Sequence, residues 1–113
     1  MIISSKNEKV KYVSRLQAER RFRWREQAFV VEGTRWLAEL VEYGHPLKGV
    51  FCTEDWLNIA NQAAILQQVQ APVQPVSPEV MAAMSDTDTP AGVLAGAEIA
   101  PRPLPPPPSL LLI

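Results

Sequence analysis

Asn7, Lys11 and Arg15 recur at i, i+4 and i+8, which places them on one polar line of a helix. An amide donor and two cations in a row can contact phosphates, and the same row also suits the solvated face of any surface helix. Further on, Arg20, Arg21, Arg23 and Arg25 interleave with Phe22 and Trp24. Rings among guanidinium groups can stack on unpaired bases while the arginines hold phosphates; alternatively the rings are the helix's inward face. Between Tyr12 and Ala28 every cation is arginine, whose planar fork suits phosphate recognition.

Charge distribution points the same way. Residues 1–28 hold eight Lys or Arg against three Glu, a net of +5, whereas residues 29–113 hold three against nine Asp or Glu, a net of −6. A basic arm on an acidic body suggests a polyanion partner such as nucleic acid, and equally fits a solvated helix. Other chemistries find little material. The sequence has no glycine-rich phosphate loop, no metal-ligand cluster and no nucleophile–base pair. Cys52 is the only cysteine and lies in an apolar run, so it reads as a small buried residue. His45, in a Gly-His-Pro turn, reads as an exposed loop histidine.

The elements that must carry these residues follow from apolar spacing. Ser5 to Glu8 has the spacing of a capping box, opening a helix that buries Val10, Val13 and Leu16. Helical composition continues through Gln17–Gln27. Phe29–Val31 is a short strand broken by Glu32-Gly33. A helix follows, with Trp36, Leu37, Leu40, Val41 and Tyr43 on one face and Gly44 and Pro46 as its stop. Lys48–Thr53 is a second strand, and Glu54–Gln70 an interrupted helix with Ile59, Ala63, Leu66 and Val69 as a weak apolar face. Val73–Val76 is a third strand, placed near an edge by Pro72 and Pro75. Ser77 caps a helix with Pro78 at its first position and Val80, Met81 and Met84 inward. Ala91–Ala97 is a fourth strand. Alternation of this kind predicts an α/β fold, with a mainly parallel four-stranded sheet between two layers of helix.

One domain is expected over residues 1–99. Residues 100–109 (APRPLPPPPS) read as a stiff, extended linker, and Leu110–Ile113 as the first strand of a further domain. No apolar run spans a bilayer, the N-terminus lacks the order of a signal peptide, and a lone cysteine rules out an internal disulfide; a cytoplasmic protein is expected.

Three short motifs, in this order and spacing, carry a resemblance: Ser5-x-Asn7-x-x-x-Lys11, Phe29-Val30-Val31-Glu32-Gly33-x-Arg35, and Ser85 to Pro90-x-Gly92. Together they resemble the N-terminal substrate-binding domain of SpoU/TrmH-family RNA ribose methyltransferases, over about residues 3–97. Ala91 stands where relatives often carry glutamine. The resemblance implies a three-layer α/β/α sandwich like ribosomal proteins that bind kinked RNA. It implies a parent enzyme that transfers methyl from S-adenosylmethionine to a ribose 2′-hydroxyl and dimerises through a catalytic domain beyond Ile113. The present chain is then a monomer that neither binds that cofactor nor catalyses. RNA contacts are expected at Asn7, Lys11, Arg15, Arg20, Arg21, Arg23 and Arg35, with ribosomal RNA preferred over transfer RNA as the target. Two other readings fit the residues: a stand-alone ribosomal-protein-like RNA binder, and a protein-interaction module using the proline tract.

Overall fold

The computed structural model describes residues 1–59, 62 and 64–99; the proline-rich linker and Leu110–Ile113 lie outside the described residues. Helix α1 spans Glu8–Ala18 and α2 Arg20–Glu26. Strand β1 (Ala28–Glu32) leads to α3 (Thr34–Glu42), then β2 (Leu47–Cys52) to the short α4 (Glu54–Leu57) and a 3₁₀ turn (Ala64–Gln68). Strand β3 (Val73–Pro75), helix α5 (Pro78–Met84) and β4 (Val93–Glu98) complete the chain. None of the described helices is long and apolar enough to cross a membrane.

The sheet has four strands in the order β1-β4-β2-β3. Period-2 alternation divides its side chains between two faces. Val30, Phe51 and Leu94 meet α1 and α5 through Val10, Val13, Val80, Met81 and Met84. Val50, Cys52, Val93 and Ala95 meet α3, α4 and the 3₁₀ turn through Leu37, Trp56, Ile65 and Leu66. Leu16, Phe22 and Ala28 close the α2 end. The three layers are those expected.

The pairing is not. Strand β4 is antiparallel to both β1 and β2, and only β2 and β3 pair in parallel. The expected mainly parallel sheet is corrected to a mixed, mostly antiparallel one, and α5 supplies the reason. Its seven residues rise only ~10 Å, about half the length of β4. It starts where β3 ends and finishes beside Glu32, the last residue of β1 and at that same end of the sheet, where the Ser85 hydroxyl meets the Glu32 carboxylate. The chain thus never returns to the other end of the sheet, and β4 can only run back between its neighbours.

Local chemistry shifts three other expectations. Asn7, not Ser5, caps α1: its Oδ1 accepts from the Lys9 N–H at 2.8 Å, and asparagine is as good a cap as serine. The helical stretch breaks at Glu19, which is extended. On α3, Leu37 is buried while Trp36 and Tyr43 are exposed, because the helix packs through a narrower stripe than its apolar residues span. The third strand does lie at an edge, where Ile2 adds a parallel bridge to Val76.

Cys52 is fully buried, and burial pushes its thiol from about 9 up to about 11. The folded state therefore keeps a proton that the unfolded chain loses above pH 9. Stability is unaffected below that pH and falls as pH rises towards 11. Urea unfolding at pH 10.5 should show about 2 kcal/mol less stability than at pH 8 from this group. Cys52→Ala should remove that increment of the pH dependence. An identical alkaline loss in the variant would show that the thiol does not contribute it.

Candidate nucleic-acid interface

Helices α1 and α2 carry five of the seven expected contact residues and the N-cap of α1 a sixth, all on one layer, and they are not equivalent. Lys11 and Arg15 are exposed one turn apart, so the predicted line exists on the helix surface. Asn7 heads that line but is occupied as the cap. Arg15 lies over the Phe22 ring, its Cζ 4.1 Å from the centroid, and its Nε is 3.2 Å from the Glu19 carboxylate. Exposed pairs of this kind are worth at most about 1 kcal/mol, so Arg15 can exchange Glu19 for a phosphate at little cost. Arg20 and Arg21 are exposed on α2. Arg23 turns back: its Nη1 donates to the Leu16 and Gln17 carbonyls at 2.6 and 3.1 Å, closing the C-terminal end of α1. Arg35 stands apart, exposed in the first turn of α3 on the opposite layer.

The aromatic residues divide along the two lines the sequence left open. Phe22 is buried and meets Tyr12 edge-on at 5.5 Å, whereas Trp24 is 58% exposed. Phe22 is thus the inward face of α2, and its ring is a platform for Arg15 and for Arg25, whose Cζ is 5.0 Å from the centroid.

Between α1 and the sheet runs an open groove of about 690 Å³. Lys11, Tyr12 and Arg15 form one wall, Lys48 of β2 stands on the other side, and Gly49 and Gly96 line it from the sheet. Lys48 Nζ sits 5.8 Å from the Tyr12 ring centre. The part played by Lys48 was invisible in the sequence. It is one of three cations in the acidic part of the chain, far in sequence from the basic arm, and only the fold brings it there.

A second assembly forms at the ends of β1 and β2. The Glu32 carboxylate accepts from the Ser85 hydroxyl at 2.6 Å and from the Asp86 and Ala91 amides at 3.3 Å. The Phe29–Gly33 and Ser85–Gly92 motifs, distant in sequence, are one structural unit. Gly92 has φ +90°, and a Cβ there would come within 3.3 Å of both Thr53 Oγ1 and the Trp56 Cβ, so glycine is required. Thr34 Oγ1 accepts from Trp56 Nε1 at 2.9 Å and Gln62 Nε2 at 3.1 Å, locking the start of α3 to α4 within one layer. The hydrogen bonds here hold a loop in place. Among the described residues no cluster of His, Cys, Asp or Glu could hold a metal ion.

The family model of the MRM3-like substrate binding domain matches residues 7–95. Among solved structures, an RNA 2′-O ribose methyltransferase is similar at 30% identity and a TM-score of 0.77, over 93% of this chain and 40% of its own. An rRNA methyltransferase from Sinorhizobium meliloti is similar at 21% and 0.70, over 86% of this chain and 36% of its own. The SpoU methyltransferase AviRb from Streptomyces viridochromogenes, solved in complex with AdoMet, is similar at 21% and 0.68, over 83% and 34%. The last two likenesses speak to the fold. The chain therefore spans 34–40% of the length of these proteins. No curated protein matches the sequence.

Proposed function

The chain belongs to the MRM3-like substrate-binding domains, the N-terminal domains of SpoU/TrmH-type RNA methyltransferases, and from that premise we propose that it grips RNA on the surface of α1 and α2. The RNA so held is presented to a catalytic domain that methylates a ribose 2′-hydroxyl. S-adenosylmethionine supplies the methyl group there, and the present residues supply affinity and orientation. Ribosomal RNA is the target class and the cytoplasm the compartment in this reading. The single observation that carries it is the juxtaposition of Lys11, Arg15 and Lys48 around one groove on the basic layer. A stand-alone ribosomal-protein-like binder is the less favoured alternative, since the family match is to a methyltransferase domain.

Titration of a fluorescein-labelled single-stranded RNA at several salt concentrations tests the proposal. Three or four phosphate contacts should give a slope of log affinity against log salt of roughly −2 to −3. Lys11→Ala with Arg15→Ala should flatten that slope by about 1.4 and weaken binding roughly 25-fold at 0.1 M salt, at ~0.7 per phosphate. Both side chains are exposed, so the circular dichroism spectrum should not change. Arg35→Ala, on the other layer, should bind as the parent does. Equal losses in the double variant and in Arg35→Ala, or no loss in either, would move the site off α1.

A further inference from the structure

Gly49 of β2 and Gly96 of β4 are cross-strand partners in the sheet. By alternation from Phe51 and Leu94, both face the α1 layer. A paired glycine leaves a patch of sheet with no side chains, where every other described position of β2 and β4 on that face carries one. Glycine inside a strand weakens it, and commonly marks a place where another group approaches the backbone closely. Here no side chain among the described residues makes that approach. A Cβ on Gly49 would meet only the Pro72 carbonyl oxygen, at 3.6 Å, and one on Gly96 only the Lys48 Cβ, at 3.8 Å. Both are ordinary contacts and neither glycine has a positive φ, so side-chain packing does not demand them, although the register of β2 against β4 shifts between Leu47 and Gly49.

The bare patch is the floor of the groove described above. Tyr12 stands beside it, and the rim carries Lys9, Lys11, Arg15 and Lys48 against the single carboxylate of Glu8. Among the described residues none of those three lysines is in an ion pair. A flat apolar slot with an aromatic wall and cations at its mouth matches one chemistry well: a planar ring joined to phosphates. An A-form duplex keeps its bases stacked inside and cannot offer one. We propose that the groove receives a nucleobase unstacked from single-stranded RNA, with its ring against the Gly49–Gly96 backbone and Tyr12 and its flanking phosphates on Lys11, Arg15 and Lys48. This rests on the RNA-binding reading above and adds to it the conformation of RNA that is read.

Gly49→Val tests it on the whole chain, because valine suits a strand and the site has room for its Cβ. The probes are a fluorescein-labelled uridine decamer and a twelve-base-pair RNA duplex. Gly49→Val should keep or raise the melting temperature while weakening the decamer about tenfold, within the range for losing one stacked base. Its salt slope and its duplex affinity should stay at parent values. Tyr12→Ala should lose a similar factor, and Tyr12→Phe should restore it. If Lys11→Ala/Arg15→Ala weakens binding as expected but Gly49→Val binds the decamer like the parent, the slot is empty and only the basic surface remains. If the parent binds neither probe, the RNA reading itself fails. Displacement of the decamer by the peptide APRPLPPPPS, residues 100–109 of this chain, would overturn the proposal in favour of a proline-rich occupant.

Discussion

Trp56→Ala is expected to cost about 3–5 kcal/mol, the range for deleting a large buried aromatic. Trp56 is 3% exposed and packs in the cluster of Leu37, Cys52 and Val93, between α4 and the sheet. Its indole also donates to Thr34 Oγ1 at 2.9 Å, tying α4 to the start of α3. Against a domain stability of ~5–15 kcal/mol, the variant should melt some 15 °C or more below the parent. Trp56→Phe keeps most of the ring and loses the hydrogen bond, so it should recover more than half of the loss. Thermal and urea unfolding followed by circular dichroism measure both. A loss under 1 kcal/mol in Trp56→Ala would mean the α3–α4 layer is not packed as described. Because this layer lies across the sheet from the basic groove, RNA affinity measured well below the melting point should not change.

The second large effect is expected at Glu32. Its carboxylate gathers the Ser85 hydroxyl and the Asp86 and Ala91 amides, and bonds to a charged acceptor are the stronger ones. Glu32→Ala should lose about 2–4 kcal/mol and leave the two amides without their acceptor. Glu32→Gln should fall between, since one side of an amide repels the donors it faces. The local signature is faster hydrogen exchange at Asp86 and Ala91, beyond what global destabilisation explains. Unchanged exchange at both amides would remove the clamp from the account.

How much of this was legible beforehand depends on the range of the determining contact. The apolar runs around Val30, Phe51 and Leu94 are local, and the strands stand where those runs fall. The Ser77-Pro78 start of α5 is local too, and Ser77 Oγ accepts from the Val80 amide at 3.2 Å as such a cap should. The direction of β4 was missed because alternation counts helices without weighing their length. A seven-residue helix cannot carry the chain back across the sheet. In the site, the Lys11–Arg15 line was readable from helical period alone. The Gly49–Gly96 pair was not, since strand register decides which glycine faces which, and Lys48 reaches the arm only through that register. The resemblance motifs gave the family, but not the clamp that joins two of them at Glu32.

RNA is proposed to enter one groove on the α1 layer, built from both the basic arm and β2. The chain has only four lysines, Lys6, Lys9, Lys11 and Lys48, and three of them line that groove. Acetylation footprinting with mass spectrometry, with and without the uridine decamer, reads all four at once. Lys11 and Lys48, on opposite sides of the groove, should be protected jointly, while Lys6 stays fully reactive. Protection of Lys6 with Lys48 left open, or no protection of Lys11 and Lys48 at saturating RNA, would contradict this placement of the RNA.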